Sequence, residues 1–303
     1  MIHEYALEPE MVAAWGDRQA HRFYSREFGL GSGRMVSRYP KKWAKKVWNS
    51  FSSSNDMDRK RLEVFLTRLQ ETMIKRKGYH WDEEQSWLDN AMAEHNRYPF
   101  RVVVSGNNHK GQPGIICEED LETVPCHGWD NPHGITVNRT AQDMANSGGI
   151  LLSHCRWVKF IDPYFSQCRP GHKLSMSAFL SIMAKERPVG PPEKIEIHTS
   201  GDGATSDHLK GFYEKIVPPG MMVTLHLWRQ KIGGQRLHNR YILTDLGGIS
   251  FQHGLDSGQD GETDDINRLD FDQYDSHCKQ YDQETTAFDQ AAQPIVITGT
   301  HGK

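Results

Sequence analysis

The sequence lacks any run of about 18 apolar residues, which is the length that a membrane-spanning helix needs. Its first residues, MIHEYALEPE, have neither the basic start nor the apolar stretch of a secretory signal peptide. We therefore expect a cytoplasmic protein that does not associate with a membrane.

The 5 cysteines form an odd set without a CxxC pair, which fits neither a disulfide framework nor a zinc site. Cys126 and His127 are the one adjacent pair that suggests a metal, but the further ligands that such a site needs are missing. The sequence thus predicts no metal, no other cofactor and a reducing compartment.

The net charge of −3 over 303 residues conceals two regions of opposite sign. Residues 17–77 contain 16 Lys and Arg against 6 Asp and Glu, which gives +10. Residues 254–290 contain 2 against 11, which gives −9. A basic region suits a polyanionic partner such as nucleic acid. The acidic region fits either a solvated helical cap or a shield for the basic surface.

The first hundred residues predict mainly helices. One helix is expected to begin at Pro40, in PKKWAKKVW, with Trp43, Val47 and Trp48 on its buried side. The opposite side is a basic arc formed by Lys41, Lys42, Lys45 and Lys46. This arc is either a solvated face above a small aromatic core or a substrate-binding surface that contacts phosphates.

After about residue 140 the pattern changes to alternating strands and helices. VKFIDPYF, KIEIHTS, GMMVTLHLW, LHNRYILTD and GISFQHG are predicted to be strands. The alternation predicts an α/β domain with a mixed β-sheet flanked by helices over residues 136–303. Residues 1–135 are expected to form a mainly helical basic region that binds nucleic acid or a protein partner.

The segment LHNRYILTD places charged side chains in an apolar strand. Because strand side chains alternate, His238 and Arg240 share one face, and Asp245 lies on the other face at the strand's end. A guanidinium can grip two phosphate oxygens at once, and an imidazole can attack phosphorus or transfer a proton. The alternative to a phosphate site is an ordinary pair of surface residues.

The same nine residues resemble the H-x-K-x4-D motif of the phospholipase D superfamily, with arginine in the lysine position. VKFIDPYF is similar to the strand that opens many of these domains, and GLDS lies where the family usually has a Gly-Ser-x-Asn element. The resemblance covers roughly residue 147 to the C-terminus. It implies a phospholipase D-like layered domain and a metal-independent phosphodiesterase that forms a phosphohistidine.

Carried over to this chain, the resemblance implies that His238 is the nucleophile or its acid partner, Arg240 the phosphate clamp and Asp245 a supporting acid. Asp256 and Ser257 match the asparagine-containing element more weakly and are expected to contact substrate. Arginine in place of lysine changes the geometry of the clamp. Asp256 would add negative charge beside a phosphate unless its carboxylate is protonated or turned away.

The implied reaction needs two histidines, whereas the chain has one such motif. A symmetric homodimer, in which each chain supplies one His238, is the arrangement that we expect. His154, His198 and His253 are the candidates within a single chain. Asp162, in DPYF, is either a turn residue or a supporting group at the carboxyl edge of the sheet. A site carboxylate is left open among Glu262, Asp264 and Asp265.

The leading prediction for function is a nuclease that cleaves DNA or RNA, with a role in prokaryotic antiviral defence by analogy with single-motif nucleases. One alternative is a lipid or small-molecule phosphodiesterase, although the sequence shows no obvious amphipathic or lipidation signal. The other is a catalytically weak module that binds nucleic acid or phosphate.

Overall fold

The computed structural model describes residues 1–108, 111–121, 128–165, 169–201 and 206–300. They form two compact units, which are residues 2–133 and the chain from Gly134 onward together with Met1. Cys126 and His127, considered above as a metal pair, lie outside the described residues. None of the described helices is long and apolar enough to cross a membrane.

The unit of residues 2–133, the N-terminal unit, is built on a four-stranded parallel sheet with the spatial order β2-β1-β3-β4. The strands are β1 His3–Leu7, β2 Arg34–Val36, β3 Val102–Ser105 and β4 Ile115–Cys117. The helices are α1 Pro9–Ala13, α2 Arg18–Glu27, α3 Trp43–Ser50, α4 Asp56–Thr72 and α5 Trp87–Arg97.

The prediction of a mainly helical region omits most of this sheet. β1, β2 and β4 are too short, at three to five residues, to show a clear period-two pattern. β1 also contains Glu4, a charged residue that is fully buried. α3 begins at Trp43 and not at Pro40, because Lys42 has φ −96° and ψ 25°, outside the helical region.

Glu4 is buried beside a cation from the segment that follows α4. Arg76 donates from Nε and Nη2 to the Glu4 carboxylate at 2.9 and 2.7 Å, and from Nη1 to Glu94 at 2.9 Å. The side chains of Arg76 and Glu4 are both 0% exposed. One cation therefore compensates two carboxylates in a region that water does not reach.

The unit from Gly134 onward, the C-terminal unit, contains a nine-stranded mixed sheet with the order β12-β8-β7-β6-β9-β10-β11-β5, and β13 also pairs with β8. The strands are β5 Gly134–Asn138, β6 Trp157–Ile161, β7 Lys194–Ser200, β8 Met222–Arg229, β9 Tyr241–Thr244, β10 Gly247–Phe251, β11 Thr263–Arg268, β12 Asp289–Gln290 and β13 Ile295–Thr298. β6, β7 and β8 are parallel to one another, and β9 to β11 pair antiparallel.

Helices cover both faces of this sheet. They are α6 Ala141–Ser147, α7 Gly149–His154, α8 Pro170–Ala184, α9 Ser206–Tyr213 and α10 Phe271–Gln280. On one face Phe160 of β6 stacks on Phe179 of α8, with ring centroids 5.5 Å apart. On the other face Tyr241 of β9 stacks on His277 of α10 at 4.2 Å. The prediction of an α/β fold with a mixed sheet flanked by helices is confirmed.

The carboxyl ends of β6, β7 and β8 meet at one edge of the sheet, which we call the site edge. Because β9 runs antiparallel to β6, and β10 antiparallel to β9, β9 begins and β10 ends at this same edge. Residues 162–165, 237–240 and 252–257 therefore converge there. In layered α/β sheets, this is the edge at which ligands usually bind.

We expect Arg76→Met to destabilise the N-terminal unit by about 3–5 kcal/mol, because the substitution leaves two buried carboxylates without their cation. Urea denaturation of the full chain, followed by circular dichroism, measures the loss. Arg59→Met is the matched control, since Arg59 is an exposed residue of α4. Equal denaturation midpoints for the two variants would contradict the prediction.

Candidate functional site

His238 and Arg240 lie at the site edge, in an irregular segment that precedes β9, and not on the strand as the sequence predicts. β9 begins only at Tyr241 because the two neighbouring segments offer no further ladder partners. On the β6 side, the residue after Asp162 is Pro163, which has no N–H to donate.

On the β10 side, a buried carboxylate takes the His253 N–H, which is the next N–H that would face β9. Asp264 of β11 accepts hydrogen bonds from the backbone N–H of Gln252 at 3.0 Å and of His253 at 3.2 Å. The pairing of β9 with β10 therefore stops after the bond from Phe251 N–H to the Arg240 carbonyl oxygen, at 3.1 Å.

The Arg240 guanidinium lies over the ring of Tyr164, 4.7 Å from its centroid. Its Nη1 atom is 3.5 Å from the Gln252 carbonyl oxygen. Among the described residues, no carboxylate forms an ion pair with Arg240 or His238. His238 is exposed. An accessible imidazole thus lies two residues from a guanidinium whose charge is not neutralised by the fold.

Asp162 combines the two roles that the sequence leaves open. Its buried carboxylate accepts the N–H of Tyr164 at 2.9 Å, which fixes the turn after β6. It also accepts the N–H of Leu255 at 2.8 Å, which ties the segment after β10 to the same edge. Gly254 has φ +140°, and a Cβ there would lie 3.2 Å from Asp162 Oδ2, so this crossing requires a glycine.

Asp256 and Ser257 also lie at the site edge, but their polar groups are engaged within the fold. The Asp256 carboxylate is 2.9 Å from Arg139 Nη2 and 3.9 Å from Arg169 Nη1. Ser257 N–H donates to the carbonyl oxygen of Gly171, in the first turn of α8, at 3.2 Å. Arg139 therefore offsets the negative charge of Asp256 at this edge.

Asp245 lies at the opposite edge of the sheet. Its carboxylate accepts the backbone N–H of Arg156 at 2.7 Å and the Nε–H of the same residue at 2.9 Å. The four residues of β9 lie between Arg240 and Asp245, so the two residues are about 17 Å apart along the strand. Asp245 therefore stabilises the junction of β6 and β9 and does not reach a ligand at the site edge.

The three candidate second histidines occupy different environments. His154 ends α7 at the opposite edge, where its Nδ1 lies 2.8 Å from the Ser153 hydroxyl. His198 is buried within the sheet. Only His253 lies at the site edge with an accessible ring, because its side chain is 53% exposed. Its Nδ1 is 3.3 Å from Asp264 Oδ1.

Glu196, His198 and His226 bring three potential metal ligands together in the interior. The two imidazole rings are stacked, with centroids 4.7 Å apart and planes only 12° from parallel. Imidazole binds metals through a lone pair in the ring plane, so two stacked rings cannot direct theirs at one ion. Lys159 Nζ also lies 4.0 Å from Glu196. The cluster is better described as a buried polar network.

Asp162, His172 and Asp256 form a second such group, at the site edge. Both oxygens of Asp162 already accept backbone N–H groups, and Asp256 is paired with Arg139. A cation would have to displace these donors and approach a guanidinium. The group is therefore poorly suited to a metal.

In the N-terminal unit, the predicted lysines flank the start of α3. A groove of about 500 Å³ is lined by five cationic residues, Arg38, Lys41, Lys42, Lys45 and Lys75. No carboxylate lines this groove among the residues that the structure describes. Lys46 lines an adjacent pocket, which Lys41, Lys42, Lys45 and the carboxylate-bearing Glu83 also line. Its Nζ lies 4.8 Å from the Trp81 ring centroid and 3.8 Å from the Glu83 carboxylate. Lys75 is far away in sequence, so helical periodicity could not predict it.

Comparison with known proteins finds no matching family model and no matching curated protein. Among solved structures, the chain is similar to TrmBL2, an archaeal chromatin protein whose structure shows a novel mode of DNA binding. The likeness has a TM-score of 0.28 and 9% sequence identity, and it covers 76% of this chain and 70% of that chain. At this level it carries no argument about fold or function.

Burial lowers the pKa of His198 to about 4, from 6.5. The unfolded chain therefore binds a proton at this residue between pH 6.5 and 4 that the folded chain does not, so stability falls as the pH drops. From pH 7 to pH 5 the loss attributable to His198 is about 2 kcal/mol.

We expect His198→Asn to reduce the pH dependence by that amount while keeping an acceptor for the Trp228 indole N–H, which bonds His198 Nδ1 at 2.9 Å. Urea denaturation at pH 7 and pH 5 measures the difference in free energy of unfolding. His80→Asn, at an exposed histidine, is the control. An unchanged pH dependence in His198→Asn would contradict the assignment.

Proposed function

We propose that the C-terminal unit is a phospholipase D-like catalytic domain and that the protein is a metal-independent nuclease. The strongest support for this proposal is the balance of paired and unpaired charges at the site edge. Asp162, Asp256 and Asp264 are each occupied by backbone N–H groups or a guanidinium. In the part of the chain that the structure describes, neither His238 nor Arg240 is paired with a carboxylate; Arg240 contacts a carbonyl oxygen and an aromatic ring. The edge therefore favours an anion such as a phosphodiester.

In the proposed reaction, an uncharged imidazole nitrogen of His238 attacks phosphorus while Arg240 holds non-bridging oxygens. The bond from phosphorus to the leaving oxygen breaks, and a second histidine donates a proton to that oxygen. The same histidine then takes a proton from the water that attacks the phosphohistidine. Cleavage of the phosphorus–nitrogen bond releases the phosphate monoester and restores His238.

Two sources of the second histidine are compatible with this scheme. One is a second copy of the chain, as in the homodimer expected from the sequence, which brings two copies of His238 together. The other is a histidine of the same chain at the site edge.

The basic groove of the N-terminal unit favours a nucleic acid over a small phosphodiester. Several cations along one concave surface suit a chain of phosphates, each of which one lysine or arginine can contact. The contact of Arg240 with Tyr164 favours a second candidate, a module that binds phosphate with little catalysis, because it limits how far the guanidinium can move toward a ligand.

We expect the purified protein to cleave DNA or RNA in excess EDTA, and His238→Ala to lose at least about a hundredfold in rate, because the nucleophile is absent. Gel analysis of end-labelled oligonucleotides measures the cleavage. His80→Ala replaces an exposed histidine and should match the wild type. Cleavage abolished by EDTA would overturn the mechanism, and binding without cleavage would favour the second candidate.

We expect Lys41→Gln/Lys45→Gln to weaken nucleic-acid binding and to reduce the slope of log K against log salt by about 1 to 2, since each lost phosphate contact removes about 0.9 on a duplex. Fluorescence anisotropy over a salt series measures both quantities. Arg59→Gln/Lys60→Gln removes the same charge from an exposed part of α4. Equal slopes for the two double variants would show that the groove does not contact phosphates.

A further inference from the structure

His238, His253 and Asp264 lie near the ends of β9, β10 and β11 that meet at the site edge. Ile249 to Ser250 of β10 pair with Ile242 to Tyr241 of β9, so one residue further Phe251 falls opposite Arg240. The bond from Phe251 N–H to Arg240 O shows that this pairing is kept. His253 and His238 each lie two residues beyond it, in the same direction toward the site edge.

The same relation holds on the other side of β10. Phe251 pairs with Ile266 of β11, and two residues further His253 falls opposite Asp264. His253 and Asp264 are therefore neighbours at the site edge, and His238 precedes by two residues Arg240, whose Nη1 lies 3.5 Å from the carbonyl oxygen of Gln252, the residue before His253. The contacts of Asp264 with the backbone and ring of His253 agree with this register.

The Asp264 carboxylate holds His253 in one orientation. Its side chain is 0% exposed, and it bonds the backbone N–H of His253 as well as approaching Nδ1 at 3.3 Å. The His253 ring is thus tethered at Nδ1, and Nε2 is the nitrogen left to exchange a proton with a ligand. A carboxylate that fixes one imidazole nitrogen in this way sets the role of the other.

We propose that His253 is the second histidine of the reaction and that Asp264 is its positioning residue, so that one chain carries a complete site. This inference rests on the proposed phosphodiesterase function. His253 Nε2–H protonates the leaving oxygen as His238 attacks phosphorus. The neutral His253 then removes a proton from the water that hydrolyses the phosphohistidine, and both histidines return to their starting states.

The other histidines of the sheet's interior and edges do not fit this role. His198 is stacked against the His226 and Trp228 rings and is fully buried. His172 lies at the site edge, but its side chain is 1% exposed, 3.6 Å from the Asp162 carboxylate and packed against the Phe165 ring. An acid that protonates a leaving oxygen must reach it within hydrogen-bond distance, which buried rings cannot do.

The dependence on the leaving group tests this assignment. We expect His253→Ala to lower cleavage of an oligonucleotide, whose leaving alkoxide needs a proton, by about 10²–10⁴-fold. A nitrophenyl phosphodiester releases a stable phenolate without a proton. With it, His253→Ala should show a rapid burst of one nitrophenolate per chain, followed by slow turnover, because hydrolysis of the phosphohistidine still needs the base. His238→Ala should show neither burst nor turnover.

Asp264→Asn should lower the rate of oligonucleotide cleavage in the same way as His253→Ala, but by a smaller factor. It should also keep the burst of nitrophenolate. A variant that is merely unfolded would show no burst. His253→Gln provides a second variant at a half-exposed position where folding is not at risk. His80→Ala is the control for exposed histidines.

If the wild type cleaves neither substrate, the proposed phosphodiesterase function and the role of His253 are both overturned. If it cleaves both and His253→Ala behaves like the wild type, the inference alone is overturned. Mixing His238→Ala with His253→Ala should restore nothing. Restored activity would mean that two chains share each site, and it would overturn the single-chain arrangement.

Discussion

The geometry of the site edge depends on the buried carboxylate of Asp264. By accepting the N–H of His253, which would otherwise face β9, it ends the pairing between β9 and β10. The segment before β9 is thereby left without ladder partners on that side, and it leaves the sheet as an irregular loop. A continued strand would fix the side chains of this segment on the two sheet faces, where helices pack. The interrupted ladder instead leaves His238 exposed at the edge.

The electrostatic potential at the site edge depends less on how many carboxylates lie there than on which groups are paired with them. Asp162 accepts two backbone N–H groups, and Asp256 is paired with Arg139. The N–H groups and the guanidinium place positive charge beside these carboxylates, so a nearby phosphate meets less repulsion. The acidic composition of residues 254–290 is therefore compatible with an anion site, which net charge alone would argue against.

The strands β6 to β10 could be predicted from sequence because they are largely apolar and are bounded by recognisable helices and turns. The position of Asp245 as support also follows from strand periodicity, and its contacts with Arg156 agree with that role. The start of β9 could not be predicted, because it depends on Asp264, which is distant in sequence. Most of the N-terminal sheet was missed, since its strands other than β3 are short or contain a charged residue, and Glu4 reads as a surface residue until Arg76 is placed beside it.

The histidines of this fold differ mainly in how far their rings are buried, which their neighbours in the sequence do not reveal. His198 and His253 each contact an ionisable or polar neighbour, yet one is fully buried and the other is half-exposed. Burial depresses the pKa of His198, so that ring stays neutral and serves as a hydrogen-bond acceptor for Trp228. An exposed ring tethered at one nitrogen keeps the other nitrogen available to solvent and ligand. Accessibility, set by where a strand ends, therefore decides which histidine can take part in chemistry.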